Sequence, residues 1–314
     1  MRKFISAVLL LTSISLELAA NQPTTYSSNP KSIPFQLNPT EANHWVDSVM
    51  ATMTLDEKIA QLFMVAGYSA KGQDNSADIV QLIKKYGIGG VIFFQGGPKA
   101  QINITNLLQK TSKIPLLIGM DAEWGPSMRL DSVIRYPRQM MLGALNNDSL
   151  IYLMAKDIAR QLKRLGVQIN FAPVADVNSN PNNPVINTRS FGENKLLDSR
   201  KAIFYMHGLQ DNGILACAKH FPGHGDTDQD SHETLPTVSF SKERLDTLEL
   251  YPFEQLFAAG VASVMVAHLK VPALEDGKKA PTSLSRKVVT DLLQDSLGFK
   301  GIIFTDALNM KGVS

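Results

Sequence analysis

Seven apolar runs of strand length recur along the chain, at Leu62–Ala66, Gly90–Phe94, Leu116–Met120, Gln168–Pro173, Ile214–Ala218, Ser263–Ala267 and Ile302–Thr305. Between them lie longer segments whose apolar residues return every three or four positions: Asp78–Lys85, Lys99–Thr111, Ser149–Leu165, Leu196–Asn212 and Arg286–Leu297. The first pattern predicts buried strands and the second helices packed on one face. Their alternation predicts an α/β fold in which parallel strands are covered by helices. Ahead of the first run, Glu41–Met53 reads as a helix, and Thr54-Leu-Asp-Glu57 fits a capping box that opens a second, short one.

Several runs end on a polar or ionisable residue. Gln95 follows the second, Asp121 the third, Lys219-His220 the fifth, His268 the sixth and Asp306 the seventh, with Asp176 shortly after the fourth. In an open sheet only the strands near the switch point would converge on a ligand. In a (β/α)8 TIM barrel every carboxyl end opens on one shared site, so the barrel is the expected architecture. The count of runs stops at seven, and the barrel is expected to be C-terminally incomplete in this chain.

Composition adds bounds rather than detail. The chain has 314 residues, 44% hydrophobic and 19% charged, with a formal net charge of +2, which suits a globular domain with a large core. That balance and the lack of a basic stripe give no reason to expect nucleic acid or an anionic membrane as partner. Arg2 and Lys3 precede an apolar run, Phe4 to Leu16, followed by Ala19-Ala20, the layout of an export signal cut after Ala20. The expected organisation is a signal peptide over 1–20, a Ser/Thr/Asn/Pro-rich linker over 21–40 and a barrel domain over 41–314. The mature protein would be periplasmic or extracellular, with no membrane span after cleavage. Cys217 is the only cysteine, and its place in the fifth run predicts a buried small hydrophobe.

The densest chemistry lies in Lys219–Pro236, with three of the six histidines, His220, His224 and His232, and the acids Asp226, Asp228, Asp230 and Glu233. It reads as a strand that delivers Lys219 and His220 to a surface, followed by a mobile polar loop. Asp230 stands two residues from His232, where a carboxylate orients an imidazole for acid/base work. Asp306 ends a buried strand, which suits a nucleophile and equally a helix N-cap or turn. Asp121 could grip hydroxyls with both oxygens, and Trp124 is expected to pack rather than bind. Arg129, taken alone, reads as a surface charge. Arg189, in a long Pro/Asn-rich irregular stretch, could fork onto vicinal oxygens. The His and Asp side chains of the loop are metal ligands in type, but their spacing matches no common metal motif, so neither metal nor cofactor is expected.

Lys219-His-Phe-Pro-Gly-His-Gly225, Asp230-Ser-His232 and Phe304-Thr-Asp-Ala-Leu-Asn-Met310 together resemble glycoside hydrolase family 3, in its NagZ-type β-N-acetylhexosaminidase branch. Arg189-Ser-Phe-Gly and Asp121-x-Glu-x-Gly fit the same pattern, and the similarity runs from about Thr54 to the end. The resemblance implies a TIM-barrel retaining glycosidase that removes terminal β-linked N-acetylglucosamine from oligosaccharides or muropeptides. It implies Asp306 as nucleophile, His232 as acid/base and Asp230 as its dyad partner. It implies Asp121, Arg129, Arg189, Lys219 and His220 as the residues that bind the terminal sugar, with His268 and Asp176 as secondary candidates. Trp124 departs from the family pattern, which has Gly there. Other family 3 specificities (β-glucoside or β-xyloside), phosphorolysis, and a sugar-binding module without turnover stay open.

Overall fold

The computed structural model describes residues 39–229, 234–275, 280–311 and 313. Seven parallel strands form one sheet in strict chain order: β1 (Met64–Ser69), β2 (Gly90–Gly96), β3 (Leu117–Met120), β4 (Ile169–Asn170), β5 (Leu215–Phe221), β6 (Ser263–Val266) and β7 (Ile302–Thr305). Neighbours in space are neighbours in sequence, and each crossover carries helix. That is the topology of a (β/α) barrel wall and not of a doubly wound sheet, whose order reverses at a switch point.

The expected helices form close to their predicted bounds: α1 (Pro39–Thr52), α2 (Leu55–Ala60), α3 (Ser76–Tyr86), α4 (Pro98–Thr111), α6 (Ser149–Arg164) and α7 (Lys195–Gln210). The Thr54 capping box closes as read, with the Thr54 hydroxyl accepting from the Glu57 N–H and the Glu57 carboxylate from the Thr54 N–H. On α6 the buried set Ile151, Ala155, Ile158, Ala159 and Leu162 makes one stripe toward the sheet. Helix α3 stops at Gly87, whose φ of 70° is left-handed, a conformation cheap only for glycine. The segment read as a helix over Arg286–Leu297 winds in wide π-turns at Lys287–Ser296, burying Val288 and Leu293 five residues apart. The sequence reading missed short α5 (Gln139–Gly143) and the run of α8 (Lys242–Arg244), a π-turn at Leu245–Glu249 and α9 (Tyr251–Ala258). No described helix is long and apolar enough to cross a membrane.

Two strand boundaries differ from expectation for local reasons. β1 starts at Met64, because Leu62 and Phe63 are spent in the turn that ends α2, where their N–H groups bond the carbonyls of Ile59 and Ala60. β4 is cut short by Pro173, which has no N–H for the ladder, and by Ala172, whose N–H turns back to the Asn170 carbonyl.

Side chains alternate between two apolar layers, as the pleat requires. Val91, Phe93, Ile118, Met120, Ala216, Ala218, Val264 and Val266 face the helices in the main core. Ile92, Leu117, Ile169, Phe171, Leu215, Cys217, Met265 and Phe304 face the other way, into the barrel interior. There Phe171 meets Phe304 edge-on at 5.2 Å between ring centres. Gly119 makes room for that pair, since a β-carbon at Gly119 would lie 2.7 Å from the Phe171 ring.

Candidate active site

The alternation decides which residues reach the carboxyl-end rim of the interior. On β3 the inward series is Leu117, Gly119, then Asp121. On β5 it is Leu215, Cys217, then Lys219. On β7 it is Phe304, then Asp306. Three ionisable residues from three strands therefore stand on one face at one level. Burial pushes the Cys217 thiol below them up to about 12.

β5 carries a further device. Its pairing with β6 shifts between Lys219, opposite Met265, and Phe221, opposite Val266. His220 is thus an extra residue, a bulge that re-aims the strand. Phe221 returns to the helix-facing core, while Lys219 and His220 both serve the site. They are buried rather than at a surface, and so are the residues after them through Gly225, and Thr227. The sequence reading of a surface strand end and a polar loop is corrected here: the first part of that loop is pinned to the barrel.

At the centre, Lys219 Nζ lies 2.8 Å from Asp121 Oδ1 and 2.8 Å from Glu123 Oε1. Arg129 Nη2 donates to Asp121 Oδ2 at 2.6 Å, and its guanidinium covers the Phe94 ring at 4.7 Å. Arg129 is therefore not the free surface charge that the sequence alone suggested. Arg189 forks onto Glu123, with Nη2 to Oε1 at 2.7 Å and Nε to Oε2 at 3.0 Å. Burial pushes the Asp121 carboxyl up, but Lys219 and Arg129 outweigh it and hold it below its ordinary value. Burial is likewise outweighed at Glu123, by Arg189 and Lys219. At Lys219 burial favours the neutral amine, yet Asp121 and Glu123 together hold the ammonium more firmly than in water. Each charge in the cluster is kept by its neighbours, which is what allows it inside a protein.

Arg189 Nη2 also approaches His220 Nε2 at 3.3 Å, and His220 Nδ1 lies 2.7 Å from Asp176 Oδ2. A guanidinium only donates, so Nε2 accepts and Nδ1 carries the proton toward Asp176. Asp176 also accepts from the backbone N–H of His220 and of His224. Burial raises its pKa, but His220 and these bonds bring it below the ordinary value. Beside this pair the buried His224 ring packs edge-on against His220, 5.9 Å between centres. Its Nδ1 meets the Thr227 hydroxyl at 2.7 Å, and burial, reinforced by His220, lowers its pKa to about 4.

Backbone pins hold these groups in place. The Asn170 side chain bonds both the N–H and the carbonyl of Ala122, and the Tyr205 hydroxyl donates to the Glu123 carbonyl at 3.0 Å. Asp198 accepts from the Ser190 hydroxyl and the Phe191 N–H, fixing the turn that carries Arg189. Trp124 is half-buried under the Arg138 guanidinium, 4.6 Å from its ring centre.

The structure thus joins Asp121, Arg129, Arg189, Lys219, His220 and Asp176 into one network. Asp306 shares their face, but its carboxylate has no ion pair among the described residues; one oxygen accepts from the Ala307 N–H at 2.8 Å. His268 is buried and outside the network. His232 and Asp230 lie outside the described residues. Sequence reasoning missed Glu123, which ties Lys219 to Arg189; its signal was present two residues after Asp121, in the same motif. No three His, Cys, Asp or Glu side chains converge as metal ligands among the described residues.

The carboxyl ends of this parallel barrel wall thus carry a buried ion cluster and, after β7, a carboxylate with no ion pair among the described residues. Residues 54–314 match the glycosyl hydrolase family 3 N-terminal domain, and the chain belongs to that family. It is 37% identical over 260 residues to a protein named beta-hexosaminidase A from Pseudoalteromonas piscicida, covering 76% of this chain and 44% of that one. It is 33% identical over 276 residues to beta-hexosaminidase LpqI of Mycobacterium tuberculosis, covering 83% of this chain and 67% of the other. A solved family 3 beta-N-acetylglucosaminidase from Paenibacillus sp. str. FPU-7 superposes with a TM-score of 0.78 at 40% identity, over 84% of this chain and 51% of that one. A solved beta-glucoside phosphorylase, BglX, superposes with a TM-score of 0.84 at 27% identity, over 90% and 52%. The chain spans about half the length of the first curated relatives it matches, 44% and 49%.

Proposed function

We propose that this chain carries the catalytic barrel of an exported retaining β-N-acetylhexosaminidase, which removes terminal β-linked N-acetylglucosamine from cell-wall fragments or related oligosaccharides. The observation that carries the reading is the placing of the Asp121–Glu123–Lys219–Arg189 cluster and of Asp306, which has no ion pair among the described residues, on one interior face of a family 3 domain. Asp121, Lys219, Arg189 and His220 grip the hydroxyls of the terminal sugar. Arg129 Nε, buried and without a partner among the described residues, offers one more donor. Asp306 attacks the anomeric carbon, the glycosidic C–O bond breaks, and a glycosyl ester forms. His232, oriented by Asp230, gives its proton to the leaving oxygen and then takes one from the water that cleaves the ester. The names of the relatives and the leader-like residues 1–20 support the substrate class and the export.

Paired assays of the full gene product with nitrophenyl N-acetylglucosaminide and nitrophenyl glucoside test this. Preference for the first is expected; preference for the glucoside would replace the specificity, and saturable sugar binding without turnover would replace the enzyme with a binding module. Phosphorolysis is a second reading, favoured by an imidazole acid/base that is uncharged when it would meet an anionic acceptor, and by the likeness to a solved phosphorylase. Sugar-1-phosphate formation in phosphate buffer, beyond the yield of free sugar in its absence, decides between them.

A further inference from the structure

We infer that His268 is a positioning residue for Asp306, acting through the backbone that follows β7; the inference rests on the nucleophile role proposed above. His268 follows β6 and is fully buried. Its Nε2 lies 3.1 Å from the carbonyl oxygen of Ala307, and its Nδ1 lies 2.6 Å from the Ser283 hydroxyl. A carbonyl only accepts, so Nε2 carries the proton and donates it. Nδ1 of the neutral ring is then an acceptor, and the Ser283 O–H donates to it. The ring is a directional strut from the 3-10 turn Thr282–Leu284 to the segment after β7.

Both ends of the strut are anchored. The Thr282 hydroxyl donates to the Ala267 carbonyl at 2.7 Å and accepts from the Leu269 N–H at 3.2 Å, so the turn is stitched to the end of β6. The Asp306 N–H bonds the Val266 carbonyl at 2.9 Å. The N–H of Ala307, the residue whose carbonyl His268 holds, is the one hydrogen-bond donor to the Asp306 carboxylate among the described residues. His268 therefore fixes the residue that aims Asp306. Any buried imidazole needs its nitrogens satisfied; what sets His268 apart is where its bonds run, one to Ser283 and the other to the carbonyl of the residue that follows Asp306.

Four variants of the full gene product, assayed on an aryl N-acetylglucosaminide with melting curves, test this. His268→Leu is expected to lower kcat about 100-fold with KM within about twofold, the scale of a nucleophile misplaced by about 1 Å. His268→Gln, whose amide N–H reaches toward the Ala307 carbonyl, is expected to keep kcat within about tenfold of wild type, the worth of one hydrogen bond. Ser283→Ala, which frees the ring to turn, should lose about tenfold in kcat. A fluorinated N-acetylglucosaminyl fluoride, which reports formation of the sugar–enzyme bond, should label His268→Leu slowly and His268→Gln faster. The inference is overturned if His268→Leu keeps wild-type kcat, if its loss lies in KM, or if the Gln variant melts as wild type yet is as slow as Leu. If His268→Leu does not fold, the Gln and Ser283→Ala variants decide by the same criteria. Asp306→Ala, run alongside, separates the two levels. Turnover lost there but kept in His268→Leu sinks only the strut; turnover kept in Asp306→Ala sinks the nucleophile assignment itself.

Discussion

The two sides of the candidate site are built on opposite electrostatic plans. On the β3–β5 side, Asp121, Glu123, Arg129, Arg189 and Lys219 satisfy one another in a buried, interlocked cluster. On the β7 side, Asp306 has no cation in ion-pair range among the described residues, only a backbone N–H. A carboxylate locked between two guanidinium or ammonium groups has its lone pairs occupied and makes a poor nucleophile. A carboxylate on a rigid strand end whose oxygens are not tied up in ion pairs is free to form a bond. The difference assigns recognition to one side and chemistry to the other, and each assignment can be broken separately.

The largest effect should come from the β7 side. Asp306→Ala is expected to lower kcat by about 10⁴-fold or more, the scale of removing a nucleophile, with little change in melting temperature, because among the described residues no ion pair is broken. Kinetics beside a melting curve checks both halves. Glu123→Ala should behave in the opposite way. It leaves buried Lys219 one partner short and strips Arg189 of its fork, so a stability loss of about 3 kcal/mol is expected in urea unfolding. Loss of stability with Asp306→Ala, or none with Glu123→Ala, would erase the contrast.

Acid should undo the recognition side in two stages. His224 has a folded pKa of about 4, depressed from 6.5. The unfolded chain then binds the extra proton between those values, so stability falls as pH drops from about 6.5 toward 4, by at most about 3 kcal/mol. The depressed carboxyls of Asp121, Glu123 and Asp176 hold their contribution above their unfolded pKa near 4 and lose it as pH falls further. Melting temperatures of wild type and His224→Asn across this range test the first stage, which the variant should flatten. The smallest effect expected is at the edge of the domain. Thr54→Ala, which removes the capping box of α2, should cost about 1 kcal/mol and leave kinetics unchanged.

Much of the wall was legible because apolar runs of strand length and helical periodicity are physical signatures of burial. Ile302–Thr305 forms a strand over the same residues as read. Where the reading slipped, a local bond had won: the turn at Leu62-Phe63 and the missing N–H of Pro173 each moved a boundary. Of the site, Asp121, Lys219 and His220 could be found because an ionisable residue at the end of a buried strand is costly unless it is paired or faces a polar site. Arg189 could be found because it sits in a long irregular stretch, where function concentrates. Glu123 was harder. It is a second acid in a short polar segment, and its partners are 66 residues away at Arg189 and on β5 at Lys219. The bulge that lets two consecutive β5 residues serve one face is set by register with β6, which no local pattern encodes. Asp176 stood in the sequence as a secondary candidate; the structure makes it the anchor of His220 and His224.

The division of labour rests on a covalent bond forming at the Asp306 carboxylate. Incubating the full gene product with a fluorinated N-acetylglucosaminyl fluoride, then digesting it and mapping the sugar adduct by mass spectrometry, tests this most directly. The account predicts an adduct on Asp306. An adduct on Asp121 or Glu123 would contradict it, as would steady turnover of the aryl glycoside with no sugar ever trapped on the protein.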